Sequence, residues 1–338
     1  MPREANSERQ DYDDETAAIG DEDESSDGRQ AQPAGPHPLE SLTKAELESR
    51  LKSDPGSLGA ASLGRPNAGR LLNAVQLPED SHWKRVDPAH AWATPETVEY
   101  LSRALRAVAE RYTGTSPVSI GHLSARNGGP LRPHVSHQSG RDVDVGFYYS
   151  NGSSQWYQRA SDDNLDLDRT WWLIRTLVLE TDIEMILLDQ GLSRLVERFA
   201  LENGESREWV DGLFHSRQGR PPIVRHAAGH ATHLHLRFFN PIAQETGRLL
   251  MPLMVERKMV APPQRLVTHV ARSGDTLAKL AARYSTTMQA IREANSMKTY
   301  QLVAGASYRI PVPGRAEGGS RMKLPARRVH SKAANQGN

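Results

Sequence analysis

Cysteine is absent from the 338-residue chain, and that absence removes disulfide bonds, thiol nucleophiles and thiolate metal sites together. Any metal must then be held by histidines and carboxylates. Long apolar runs are missing too. No stretch approaches the ~20 residues that a membrane-spanning helix needs, and Met1-Pro2-Arg3-Glu4 leads into no apolar signal-peptide core. No membrane span is expected, and an export route is not legible. Apolar residues make up only 37% of the chain, which leaves part of its length with little to contribute to a core. That part includes the N-terminus, where Asp11, Asp13, Asp14, Glu15 and Asp21 to Glu24 cluster with almost no large apolar residue up to about Glu40.

What is present falls into blocks. Pro- and Gly-rich stretches around Pro33 to Pro38 and Pro55 to Pro66 separate the acidic segment from the first folded pattern, so residues 1–57 are expected as a disordered acidic arm. A domain follows over 58–252. In it Thr94-Pro95 signals an N-cap and first turn, and Val98, Leu101, Leu105 and Val108 repeat at helical spacing. Asp168 opens a second helix rich in buried-type residues from Trp171 to Val178. Ile183 to Leu188 reads as a strand, and Leu192 to Leu201 as a third helix ending at Asn203-Gly204. Helices mixed with short strands in no βαβ rhythm predict an α+β class. A Pro-containing linker is expected over 253–265, a small module over 266–313, and a basic disordered tail over 314–338. The overall charge is +1 because the acidic arm offsets a basic remainder. The tail, Lys- and Arg-rich from Arg315 to Lys332, reads as a solvated terminus, with no specific nucleic acid as partner.

Two short segments carry the chemistry. In Pro133-His134-Val135-Ser136-His137-Gln138-Ser139-Gly140-Arg141-Asp142-Val143-Asp144, a histidine and a carboxylate stand seven apart, with Gly140 between them to let the chain turn. They converge on one cation if Asp144 lies on the strand that follows. There Val143, Val145 and Phe147 form a core face, and Asp142 and Asp144 the other. In His230-Ala231-Thr232-His233-Leu234-His235-Leu236-Arg237-Phe238, strand alternation sends His233, His235 and Arg237 to one face and Leu234, Leu236 and Phe238 to the other. Catalytic zinc sites use three N or O protein ligands and keep a fourth position open, and His137, Asp144 and His235 would make such a set.

At these residues the chain resembles the penicillin-insensitive murein endopeptidases, within the LAS metallopeptidases that also include D-Ala-D-Ala dipeptidases and carboxypeptidases. The resemblance runs from about Ser62 to Phe239. It includes Ser62-Leu63-Gly64 through Gly69-Arg70-Leu71, Val75-Gln76-Leu77-Pro78, and Leu123-Ser124 through Gly128-Gly129. It is densest in Ser136-His137-Gln138-Ser139-Gly140 and Asp142-Val143-Asp144, and closes with His230, His233 and His235. It departs at Arg141, Ala68 and Ala74. The resemblance implies a zinc metallopeptidase domain with a central antiparallel sheet flanked by helices. It implies Zn2+ on His137, Asp144 and His235, His233 acting on the attacking water, and His230 and His134 as further catalytic-site histidines. Arg126, Arg132 and Arg141 are candidates for gripping a substrate carboxylate or the oxyanion.

Farther on, Val267-Thr268-His269-Val270, Ser273-Gly274-Asp275-Thr276-Leu277, then Leu280, Ala281, Tyr284, Ile291, Asn295 and Tyr308-Arg309-Ile310-Pro311 read as strand, two helices and strand, with Asp275 or Thr276 capping the first helix. This βααβ pattern is similar to a LysM domain. The similarity implies glycan binding by a groove between Gly274, Asp275, Thr276 and Leu277 on one side and Met297 to Leu302 on the other. Both halves point to peptidoglycan, and so to a murein D,D-endopeptidase cutting D-Ala-diaminopimelate cross-links in the cell envelope or periplasm. The alternatives are a D,D-carboxypeptidase or dipeptidase on the same scaffold, or a non-catalytic wall-binding protein.

Overall fold

In the computed structural model, residues 37–216, 221–262 and 264–313 are described. The chain divides into two compact units that separate in sequence between Leu249 and Leu250.

The first unit is built on a six-stranded sheet. Its strands are β4 (Trp83–Arg85), β6 (Val118–Ile120), β7 (Asp142–Gly146), β8 (Ile183–Leu188), β9 (Val224–His226) and β10 (His233–Phe238), in the order β4-β6-β7-β10-β8-β9. The centre is antiparallel, as the family resemblance implies. Both edge pairs, β4 with β6 and β8 with β9, are parallel, because each is joined by a crossover long enough to hold helices. The first crossover holds α2 (Pro95–Arg111), and the second holds α4 (Gln190–Glu202) and α5 (Arg207–Phe214). Between β7 and β8 lies α3 (Leu167–Glu180).

Local chemistry sets these bounds. The Thr94 hydroxyl accepts from Thr97 N at 3.2 Å and caps α2, whose Leu101, Ala104, Leu105 and Val108 are wholly buried. Burial of each such leucine stabilises the fold by about 1.5–3 kcal/mol. Helix α3 starts one residue before Asp168, because Asp166 caps it by accepting from Arg169 N at 3.0 Å. Helix α4 runs slightly beyond Leu192 to Leu201 at both ends, capped by Asp189.

A hairpin of β1 (Ala61–Arg65) and β2 (Ala68–Leu72) and a small pair, β3 (Val75–Gln76) with β5 (Trp92–Ala93), complete the strands of this unit. The arm expected over 1–57 is corrected where it is described. Pro38–Ser41 forms a 3-10 turn, α1 spans Lys44–Ser53, and Pro55–Leu58 forms a second 3-10 turn. A capping box between Thr43 and Glu46 starts α1, and flanking Leu39 and Leu58 are buried. No residue of α1 is buried, and only the pair Leu47 and Leu51 marks an apolar period in it. The expectations for residues 1–36 and for the tail 314–338 lie outside the described residues.

The linker expected at 253–265 is also shorter than predicted. Helix α6 (Pro241–Glu256) continues through Pro252, and β11 (Gln264–Val270) starts at 264. Buried Leu250, Leu253 and Met254 carry the helix past the proline, whose missing N–H would otherwise end it.

The second unit contains the strand pair β11 and β12 (Ser307–Pro313), in antiparallel register from Gln264↔Pro313 to Val270↔Ser307, with α7 (Leu277–Arg283) and α8 (Met288–Ala294). This is the predicted βααβ order. Its core is Leu277, Leu280, Ala281, Ile291, Ile310 and Val312. Thr276, not Asp275, caps α7, accepting from Lys279 N at 3.2 Å. Among the described residues no helix is long and apolar enough to cross a membrane.

Candidate metal centre

Register decides which side chains meet. Strands β7 and β10 pair antiparallel with His235 opposite Asp144, Arg237 opposite Asp142 and His233 opposite Gly146. The two alternating faces deduced from sequence therefore lie side by side. His137 reaches the same place from the loop before β7, with its backbone at φ +63°. Few non-glycine residues adopt that left-handed conformation. Here it is held by a bond from His137 N to Asp142 Oδ2 at 2.9 Å and by the ring Nδ1 against Leu123 O at 2.7 Å.

The rest of the loop is sewn to its surroundings. Ser62 Oγ donates to Ser139 O at 2.8 Å, Gln138 N to Pro66 O at 2.9 Å, and Thr97 Oγ1 to Gly140 O at 2.9 Å. Gly140 has φ +73°, and a Cβ there would stand 2.7 Å from Leu71 Cδ2. The turn that the sequence assigned to this glycine is therefore real, and it leaves no room for a side chain.

Three donor atoms result. His137 Nε2 lies 3.2 Å from Asp144 Oδ1 and 3.2 Å from His235 Nδ1, and His235 Nδ1 lies 3.1 Å from Asp144 Oδ1. All three side chains are buried. Because His137 Nδ1 donates to a carbonyl, its Nε2 faces the cluster. Because His235 Nε2 faces Asp142 Oδ1 at 3.5 Å, its Nδ1 does the same. Tetrahedral ligands at about 2.0 Å stand about 3.3 Å apart, close to the edges seen here, and two nitrogens with one oxygen suit zinc. These residues thus fit a bound cation. Burial disfavours charge on His137, yet the Asp144 carboxylate outweighs it and raises its pKa above the usual imidazole value. Burial likewise opposes ionisation of Asp144, but His137 and its neighbours hold its carboxyl well below the usual range. The cluster favours positive charge at its centre.

Around this set stand the other predicted histidines. His233 Nε2 is 3.9 Å from Asp144 Oδ1, and its Nδ1 is 2.9 Å from Thr232 Oγ1. Burial lowers its pKa to about 4, leaving a neutral ring at pH 7. The His230 ring lies tilted at 41° with its centroid 5.0 Å from that of His233, its pKa is lowered by burial to about 3, and its buried Nε2 has no hydrogen-bond partner among the described residues. His134 Nδ1 lies 3.8 Å from Asp144 Oδ2, and burial lowers its pKa to about 2. All six histidine and aspartate residues predicted for the site are thus gathered at one point.

The predicted arginines divide into one buried and two exposed. Arg141 is buried on Glu184 and donates from Nε to Phe238 O at 3.0 Å, so it clamps β7 to β8 and β10 and cannot grip a substrate. That correction also accounts for a charged residue between Gly140 and Asp142. Arg126 stays exposed with its guanidinium 5.2 Å from the Trp92 ring centroid, and Arg132 is exposed.

Several site residues were not identified from sequence. Asp142 accepts from His137 N and from Arg237 Nε, at 2.6 Å, and so orients one proposed ligand directly and faces a second. Its place on the carboxylate face of β7 was the available signal. Tyr157 stacks on His233 with ring centroids 5.8 Å apart, and Trp156 lies at the same distance. Gly121 makes room for Trp156, since a Cβ there would stand 2.3 Å from its Cη2. An aromatic pair in an irregular stretch was the only hint.

In the second unit the predicted glycan-binding residues are already engaged. Asp275 Oδ2 accepts from Arg272 N at 2.8 Å and meets His269 Nε2 at 2.9 Å, Thr276 caps α7, and Leu277 is in the core. In the second predicted groove segment, residues 297–302, Tyr300 is 60% exposed, with the Arg292 guanidinium 4.1 Å from its ring centroid.

An α+β sheet carrying such a cluster, followed by a βααβ module, defines a two-part protein with a candidate metal centre. Comparison with known proteins gives the family. Residues 62–249 match the model of the penicillin-insensitive murein endopeptidases, and residues 269–311 match that of the LysM domain. The chain belongs to the penicillin-insensitive murein endopeptidase family and carries a LysM domain, and the two matches imply peptidoglycan binding. No curated protein matches it.

Proposed function

We propose that this protein is a zinc-dependent endopeptidase that hydrolyses D-Ala-diaminopimelate cross-links of peptidoglycan while its LysM domain holds it on the polymer. One observation carries the reading: three donor atoms converge at 3.1–3.2 Å edges directly beside a neutral histidine. Zn2+ bound by His137 Nε2, Asp144 Oδ1 and His235 Nδ1 supplies Lewis acidity at the scissile carbonyl and lowers the pKa of a water.

The chain does the rest. His233 takes a proton from the attacking water through Nε2, with Nδ1 steadied by Thr232, and returns it to the leaving amine as the C–N bond breaks. Products are a free carboxylate and a free amine. Asp142 and Arg237 keep His137 and His235 in place, and Trp156 and Tyr157 limit water around His233. His230 and His134 add neutral polar groups that can orient the peptide. Tethering raises the local concentration of cross-links without any new catalytic contact. The substrate implies an envelope or periplasmic location.

The test is digestion of purified cross-linked muropeptide dimers by zinc-loaded protein, a chelator-treated sample and His233→Ala, with products weighed by mass spectrometry. The expected result is conversion of dimers to monomers that chelation abolishes and His233→Ala slows by about 10²- to 10⁴-fold. Release of terminal D-Ala from monomers, with dimers intact, would instead identify a carboxypeptidase. Intact substrates with retained wall binding would identify a non-catalytic binder.

A further inference from the structure

Beyond the buried cluster lies a second set of metal-type side chains that the reaction does not use. Asp87 caps the 3-10 turn Pro88–His90, accepting from Ala89 N at 2.9 Å, and that turn delivers His90. His122 follows β6, and a backbone bond from Leu123 N to His90 O at 2.9 Å fixes the two histidines side by side. His90 Nδ1 lies 2.7 Å from Asp87 Oδ2, and His122 Nε2 lies 3.4 Å from the same oxygen. One ligand atom from each of the three lies within 4.8 Å of the others. Their side chains are 34%, 35% and 30% exposed, so an ion can enter from solvent, unlike at the buried set.

The set does not stand alone. His122 Nδ1 is 2.7 Å from His134 Nε2, and His134 Nδ1 faces Asp144 Oδ2. We propose that Asp87, His90 and His122 form a second, solvent-accessible site for a divalent transition-metal ion such as Zn2+, linked to the buried cluster through His134. Two imidazoles and a carboxylate, with water completing the shell, are a donor set such ions accept. Coordination through His122 Nε2 leaves the proton on Nδ1, which then donates to His134 Nε2. The outer ion therefore fixes the tautomer of His134 and points its Nδ1–H toward Asp144. Asp87 is suited to the role, since the hydrogen bond from His90 lowers its pKa below the usual carboxylate value.

Equilibrium dialysis of the full chain against Zn2+, with metal analysis of the protein, tests the site without reference to activity. Wild type is expected to hold two ions per chain. His90→Gln and Asp87→Asn should each hold one, and His137→Ala should keep the outer ion alone. His215→Gln serves as control for the surface group Glu197, Asp211 and His215, and should still hold two. Circular dichroism reports folding, and Asp87→Asn carries the test if His90→Gln does not fold. A single ion in wild type that His137→Ala removes would overturn the outer site while leaving the buried one. A single ion that His90→Gln removes and His137→Ala keeps would support the outer site and overturn the buried zinc reading. A second ion that survives both His90→Gln and Asp87→Asn, or is lost in His215→Gln, would also refute the assignment.

Discussion

Replacing Arg237 with methionine probes how the sheet holds its cluster. Arg237 Nε donates to Asp142 Oδ1 at 2.6 Å, and the two side chains are 5% and 0% exposed. Burial raises the pKa of Asp142, but Arg237 and His235 overcome that and hold it well below the usual range. Without the guanidinium, the buried carboxylate loses its strongest counter-charge and keeps only the His137 N–H and the facing His235 ring. Breaking such a pair from one side costs about 3–5 kcal/mol. For a domain of this size, that is a fall in Tm of roughly 6–20 °C. If Asp142 instead takes a proton, it competes with its own contacts to His137 N and His235, and zinc affinity should fall about 10- to 100-fold. Urea unfolding of the metal-free chain and zinc titration against a competing chelator measure the two effects. Arg237→Met with Asp142→Asn should recover part of the stability but not the affinity, because the charge is gone while the orienting carboxylate is lost. A loss below about 1 kcal/mol with unchanged zinc affinity would refute the reasoning, since it would mean that Asp142 is well solvated or otherwise paired.

Three further outcomes follow from other parts of the chain. Gly140→Ala must adopt φ +73° and press on Leu71. It should cost about 1–3 kcal/mol and reduce zinc stoichiometry at the buried set, measured by thermal unfolding and metal analysis. Tyr300→Ala should weaken sedimentation with insoluble peptidoglycan by about 2- to 10-fold while leaving cleavage of soluble dimers unchanged, because an exposed aromatic ring is a stacking surface. Asp275 has its pKa lowered, first by the Arg272 N–H and then by His269. A carboxylate with a lowered folded pKa contributes stability that is present above its unfolded pKa of about 3.9 and is lost as pH falls through the folded value. Asp275→Asn should therefore lower the Tm of the LysM transition at pH 7 and flatten its decline below about pH 4, followed by calorimetry.

Much of the centre was legible because strand alternation is a strict rule. Once Leu234, Leu236 and Phe238 are assigned to the core, His233, His235 and Arg237 have one direction left. What alternation cannot give is the partner across the sheet. Asp142 and Asp144 share a face, and only the register, Asp142 on Arg237 and Asp144 on His235, separates the orienting carboxylate from the proposed ligand. Arg141 was misjudged for a related reason: its partners, Glu184 and Phe238 O, lie 43 and 97 residues away and leave no trace in local spacing. His122, a lone histidine after a short strand, and the Trp156-Tyr157 pair carry no period at all. The first helix, Lys44–Ser53, buries none of its residues and offers only Leu47 and Leu51 at helical spacing, so its capping box was the stronger signal.

The pairing of His235 with Asp144 has one more consequence. Side chains swap faces with every one-residue shift, so a chain whose β10 is misaligned by a single position would set Leu234 or Leu236 against Asp144 and hold no ion. Ninety-one residues separate the two partners. On the proposed zinc chemistry, a copy paired in that register would lack the ion that hydrolysis needs. Under the proposed zinc chemistry the sheet would thus work as an interlock, completing the centre only after strands far apart in the chain have paired in register.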